Sequence, residues 1–112
     1  MNQIKVLVVD DDQTLRAALF RILSRKGYQI ITCATAKEAE HVISEQPFID
    51  LVLLDIRLPD GDGIEILKLV KKKYDQTPVI VLTGFGSVDV AVEATKLGAY
   101  HFMTRSEERR VG

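Results

Sequence analysis

The chain has 112 residues, 46% hydrophobic and 28% charged, which suits one globular domain with a single core and leaves little room for a second. With 15 basic and 16 acidic side chains the formal net charge is −1, so no basic field points to direct nucleic-acid binding. No apolar run reaches bilayer-spanning length, no leader pattern opens the chain, and the lone Cys33 cannot close an intrachain disulfide, so the expectation is a cytoplasmic protein with no membrane partner.

Ile4 to Val9 is a short, Val-rich apolar run ended by three aspartates, the pattern of a strand buried on both faces of a parallel sheet. Leu15, Ala18, Leu19, Ile22 and Leu23 then recur at helical spacing, with Arg16, Arg21 and Arg25 on the polar side and Gly27 past the C-terminus. Tyr28 to Ala34 reads as a second strand. Thr35 and Glu38 form a capping-box pattern for a helix that runs to about Glu45. Ile49 to Leu54 is another apolar run, ending on Asp55, and Leu58 to Gly63 reads as a loop.

A third helix is expected over Ile64 to Tyr74, with Ile66, Leu67 and Val70 inward and Lys71, Lys72 and Lys73 as a solvated C-terminal end. Pro78 precedes a strand from Val79 to Leu82 that ends at Thr83. Ser87 is placed to cap a helix over Val88 to Leu97, closed by Gly98, and Tyr100 to Thr104 reads as a fifth strand. Strands alternating with helices predict an α/β fold with a parallel sheet covered on both faces and right-handed crossovers. Ligands of such open sheets bind beyond the carboxyl ends of the strands.

That rule directs attention to three strand ends, which carry Asp10, Asp11 and Asp12, then Asp55, then Thr83. Carboxylates brought together repel, and a cation resolves the cost. An all-oxygen donor set suits Mg²⁺. A carboxylate beside such a metal can act as nucleophile in phosphoryl transfer. Asp55, alone at the end of a central strand, suits the nucleophile, whereas the paired Asp10 and Asp11 suit metal ligation. Asp12 is read equally well as a cap of the following helix. His41 and His101 have no metal partner at ligand spacing, and Cys33 reads as packing.

In these residues the chain resembles the response-regulator receiver domains of two-component signalling. Val6-Leu-Val-Val-Asp-Asp-Asp12 resembles the family's first strand and acidic pair, and Asp50-Leu-Val-Leu-Leu-Asp-Ile-Arg-Leu-Pro-Asp-Gly-Asp-Gly63 its phosphorylation segment. Val81-Leu-Thr-Gly84 and Gly98-Ala-Tyr-His-Phe-Met-Thr104 resemble its fourth and fifth strands. The resemblance implies a flavodoxin-like, doubly wound sheet of five strands in the order 2-1-3-4-5, an order the chemotaxis-regulator family exemplifies. It implies a signalling domain rather than an enzyme. Asp55 would be the phosphoacceptor, and Mg²⁺ would be held by Asp10, Asp11, Asp55 and the backbone carbonyl of Arg57. Thr83 would bond a phosphoryl oxygen, and Phe102 would be the aromatic switch residue that moves with it. The phosphodonor would be a sensor histidine kinase, and the output domain, absent from this chain, would be transcriptional. The stretch from Thr83 to Ala94 resembles nitrogen-regulation-type activators in particular.

Two departures from the family pattern stand out. Arg105-Ser106 occupies the place of the family's lysine and proline, and an arginine is longer, planar and always charged. The family's fifth helix has no counterpart in the polar stretch after Arg105. The chain is therefore read as a C-terminally truncated receiver over 1–105 followed by a short polar tail, 106–112, that need not be native. Loss of that helix would expose apolar surface on the sheet and the first helix and favour a homodimer or a domain-swapped assembly. The competing reading is a phosphorylation-independent pseudo-receiver acting as an interaction or dimerisation module. A phosphohydrolase is disfavoured because Arg57 stands where a second acid/base carboxylate would, and a flavin site because aspartates fill the first loop.

Overall fold

Runs of β-branched and aliphatic residues, too short for helices and too apolar for loops, become the strands of one sheet. A computed structural model describes residues 3–83, 96–98 and 101–104, with 83 and 101–104 described by backbone alone. In chain order the elements are β1 (Lys5–Val9), α1 (Gln13–Arg25), β2 (Gln29–Cys33), α2 (Ala36–Glu45), β3 (Leu51–Asp55), β4 (Arg57–Leu58), β5 (Gly61–Asp62), α3 (Gly63–Lys73), β6 (Val79–Thr83) and β7 (His101–Thr104). The five long strands pair in the order β2-β1-β3-β6-β7, all parallel. Counted among themselves they follow the expected order 2-1-3-4-5. The helix expected over Val88 to Leu97 lies largely outside the described residues. Gly98 beyond it has φ +103, as a residue closing a helix would.

The chain steps one way from β1 to β2 and the opposite way from β2 to β3. Right-handed crossovers therefore put α1 and α2 on opposite faces. Alternation along the strands divides the core accordingly. Leu7, Val9, Val52, Leu54, Val79 and Val81 pack with Ala39 and Ile43 of α2 and Ile66, Leu67 and Val70 of α3, all buried. On the α1 face, Val6 and Val8 are buried but Leu51, Leu53 and Ile80 are only partly covered. No residue of α1 is fully buried. Ile22, expected on the inward face, is 50% exposed, as is Phe20, because helical periodicity marks an apolar stripe but not what covers it.

Local chemistry sets the helix ends. Asp12 proves to be the N-cap of α1, its Oδ1 accepting from Thr14 N at 3.0 Å and Leu15 N at 3.2 Å. Gly27, with φ +91, follows the C-cap. The capping box forms with an offset: Thr35 Oγ1 accepts from Glu38 N at 3.1 Å, but Glu38 Oε1 accepts from Ala34 N at 2.7 Å, one residue before the cap. The basic end of α3 is not simply solvated, which corrects the sequence reading. Lys71 Nζ donates to the Thr77 carbonyl at 2.9 Å, and Lys73 Nζ donates to the Ile43 and Ser44 carbonyls near the end of α2. Cys33 is buried, and burial pushes its thiol up to about 11, so it packs as a neutral thiol.

Candidate functional site

The sheet register assembles the site. Val9 of β1 lies opposite Leu54 of β3, so Asp10 and Asp55, each next along its chain, emerge side by side at the carboxyl edge. Leu82 of β6 lies opposite Asp55, which puts the Thr83 backbone one step further along the same edge. Asp10, Asp11 and Asp55 each offer a carboxylate oxygen, and these oxygens lie within 4.8 Å of one another. Asp10 and Asp55 are buried and form the floor, while Asp11 is exposed and marks the open side.

Each buried carboxylate is oriented by the backbone just after it. Asp10 Oδ1 accepts from Asp12 N at 2.8 Å, and Asp55 Oδ1 accepts from Arg57 N at 3.0 Å. Asp10 N–H donates to the Cys33 carbonyl at 3.0 Å, extending the β1–β2 ladder by one bond. Ile56 N donates to the Leu82 carbonyl at 3.3 Å, holding the chain just past Asp55 against β6. Three carboxylates this close form a hard, all-oxygen donor set. A hard divalent cation would relieve their mutual repulsion, and Mg²⁺ fits such a donor set in charge and donor preference.

The segment after Asp55, read from sequence as a loop, closes into a two-residue antiparallel hairpin that pairs Arg57 with Asp62 and Leu58 with Gly61. Gly63 N donates to the Ile56 carbonyl at 2.8 Å. A Cβ on Gly63 would overlap the Asp55 carbonyl oxygen and would lie 2.7 Å from Ile56 Cα. Glycine is needed there for close backbone approach, at a φ that any residue adopts. Asp62 caps α3, accepting from Ile64 N at 2.9 Å.

At the hairpin turn Asp60 does something the sequence did not suggest. Its carboxylate accepts from Ala36 N at 2.7 Å and Lys37 N at 3.1 Å, tying the segment after Asp55 to the first turn of α2. Its spacing to α2 carries no local pattern, since the partners are 24 and 23 residues away. These amides, Ala36 first, hold the Asp60 carboxyl below the usual carboxylate range. The stabilisation is present above the ordinary carboxyl value of about 3.9 and is lost as pH falls through the lower folded value. Asp60→Ala is therefore expected to lower Tm at neutral pH. The gap from wild type should narrow as the pH drops below the ordinary carboxyl value. A gap that stays constant through that range would contradict a role for the charge.

Of the other residues singled out from sequence, Phe102 is in β7 opposite Val81 of β6, and β6 separates it from β3. The side chains of Thr83 and Phe102 lie outside the described residues, and so does Arg105 altogether. His41 is a surface residue of α2 paired with Glu45 at 3.3 Å.

An open parallel sheet with helices on both faces and an acidic cluster at its carboxyl edge defines a doubly wound α/β domain whose site could hold a hard cation. The profile of the response regulator receiver domain family matches residues 6–111, and the chain belongs to that family. It is 38% identical over 105 residues to the response regulator protein PilR of Pseudomonas aeruginosa, covering 94% of this chain and 23% of PilR. It is 40% identical over 104 residues to sporulation initiation phosphotransferase F of Bacillus subtilis, covering 91% of this chain and 82% of that protein. Among solved structures, the beryllofluoride-activated NtrC4 receiver domain dimer superposes with a TM-score of 0.83 at 43% identity, covering 96% of this chain and 89% of that one. The chain thus spans less than a quarter of PilR's length. Among the described residues no helix is long and apolar enough to cross a membrane.

Proposed function

We propose that this domain accepts a phosphoryl group on Asp55 and relays that event to an output domain. The observation that carries the reading is the convergence of Asp10, Asp11 and Asp55 at the sheet's carboxyl edge. Asp10, Asp11, Asp55 and the Arg57 carbonyl would hold Mg²⁺. When bound, the ion neutralises charge on the transferring group. A carboxylate oxygen of Asp55 forms the new bond to phosphorus as the bond to the donor's leaving atom breaks, giving an acyl phosphate. The Arg57 amide, 3.0 Å from Asp55 Oδ1, fixes the plane of the attacking carboxylate. Thr83, at the end of the neighbouring strand, would bond a phosphoryl oxygen, with Phe102 following its movement and Arg105 supplying a cation. The phosphodonor would be the phosphohistidine of a sensor kinase in the cytoplasm, and the output would be transcriptional, as the likeness of the stretch from Thr83 to Ala94 to nitrogen-regulation-type activators suggests.

Intact-mass measurement after incubation with Mg²⁺ and acetyl phosphate tests this reading. One added phosphoryl group, dependent on the metal, is the expected result. A folded sample that gains none would favour the module that acts without phosphorylation.

The thinly covered α1 face, with Phe20 and Ile22 each 50% exposed, also favours self-association. Light scattering over a concentration series is expected to give a mass that rises above that of the monomer. A constant monomer mass at high concentration would remove this part of the proposal.

A further inference from the structure

Arg16 falls on the polar side of α1 by its spacing, yet its side chain turns back along the first turn of the helix. Its Nη1 donates to the carbonyl oxygen of Asp10 at 2.8 Å. The rest of Asp10 is tied down as well: its N–H donates to the Cys33 carbonyl at 3.0 Å and its Oδ1 accepts from Asp12 N at 2.8 Å. The carbonyl that Arg16 holds belongs to the peptide joining Asp10 to Asp11. A rotation of that peptide would swing the exposed Asp11 carboxylate away from Asp10 and Asp55, with which it now lies within 4.8 Å. A hard cation with near-ideal octahedral demands tolerates little such movement.

We infer that Arg16 is a positioning residue for the cation site, holding the Asp10–Asp11 peptide so that both carboxylates converge with Asp55. This inference rests on the reading of the acidic cluster as a Mg²⁺ site. A guanidinium acting on the cluster only through its charge would oppose cation binding, and its removal would tighten binding. Positioning requires the opposite sign, so the two roles separate in one measurement.

The test is calorimetric Mg²⁺ titration of wild type, Arg16→Gln and Arg16→Lys, each first shown to be folded by circular dichroism and thermal unfolding. Arg16→Gln is expected to bind Mg²⁺ about tenfold more weakly, the usual loss when a group supporting a metal ligand is removed. Arg16→Lys, which keeps a donor but not the planar fork, is expected to fall between the two. Binding by Arg16→Gln that equals or exceeds wild type overturns the inference, as does a lower Tm with unchanged affinity. If Arg16→Gln does not fold, Arg16→Met, which keeps length and an apolar stem, is judged by the same criteria. A flat isotherm for wild type itself overturns the cation site and the inference together. That outcome is distinct from a failure of Arg16 alone, in which wild type still binds.

Discussion

Asp55→Asn is expected to take up no phosphoryl group from acetyl phosphate, a loss of at least about a hundredfold in rate, while remaining folded. The substitution keeps the side chain's shape and its Oδ1 acceptor for the Arg57 amide, 3.0 Å away in the wild type. What it removes is the nucleophilic carboxylate and one negative charge of the cluster. Because Asp55 is buried, an amide without its bonds would itself be costly, so the folded state has to be verified by circular dichroism. Asp10 and Asp11 lie close enough to compete for the role. Uptake by Asp55→Asn at the wild-type rate would transfer the phosphoacceptor assignment to one of them.

Gly63→Ala is expected to be the most damaging small substitution near the site. Its Cβ would overlap the Asp55 carbonyl oxygen and approach Ile56 Cα at 2.7 Å, and both atoms are backbone. Neither can move aside as the end of a side chain could, so β3 and the start of α3 must separate. The expected loss is roughly 2–3 kcal/mol, within the range for overpacking. For a domain of this size that is roughly 10–15 °C in Tm. The same displacement would pull on the Gly63 N–H bond to the Ile56 carbonyl, now 2.8 Å, and so on the backbone that aims Asp55. Phosphoryl uptake should therefore fall even in the fraction that stays folded. A Tm within a degree or two of wild type, read by thermal unfolding, would show that the close approach is not required.

What could be read in the sequence was what depends on local periodicity and on strand ends. The apolar run at Val6 to Val9 is continuous because both faces of that strand are buried; the run at Val52 to Leu54 is continuous although its α1 face is only partly covered, and both became central strands. Once parallel pairing is assumed, Asp10 and Asp55 must share an edge, and the register puts them side by side. The capping residues Thr35 and Gly27 were legible because caps act within one turn.

What could not be read depends on partners far apart in the chain or on side-chain direction. Asp60 caps a helix that begins 24 residues earlier, and no spacing rule connects the two. Lys73 reaches carbonyls of α2 about 30 residues back, so a run of lysines that looked solvated includes a tie between two helices. Arg16 sits on a polar face by its angle, but a long side chain can fold back over its own helix, here to Asp10. Asp12 shows the reverse case. It belongs to the aspartate run by sequence, yet its Oδ1 is committed to the Thr14 and Leu15 amides, and it does not join the Asp10, Asp11 and Asp55 cluster.

The most direct test of phosphoacceptance is to locate the phosphoryl group. Borohydride converts an aspartyl phosphate to homoserine, and peptide mass mapping of the treated, reduced protein then identifies the modified position. Homoserine at position 55, formed only when Mg²⁺ and acetyl phosphate were both present, is the expected result. Reduction at Asp10 or Asp11 instead, or at no residue of a folded, Mg²⁺-bound sample, would contradict the assignment of Asp55 as phosphoacceptor.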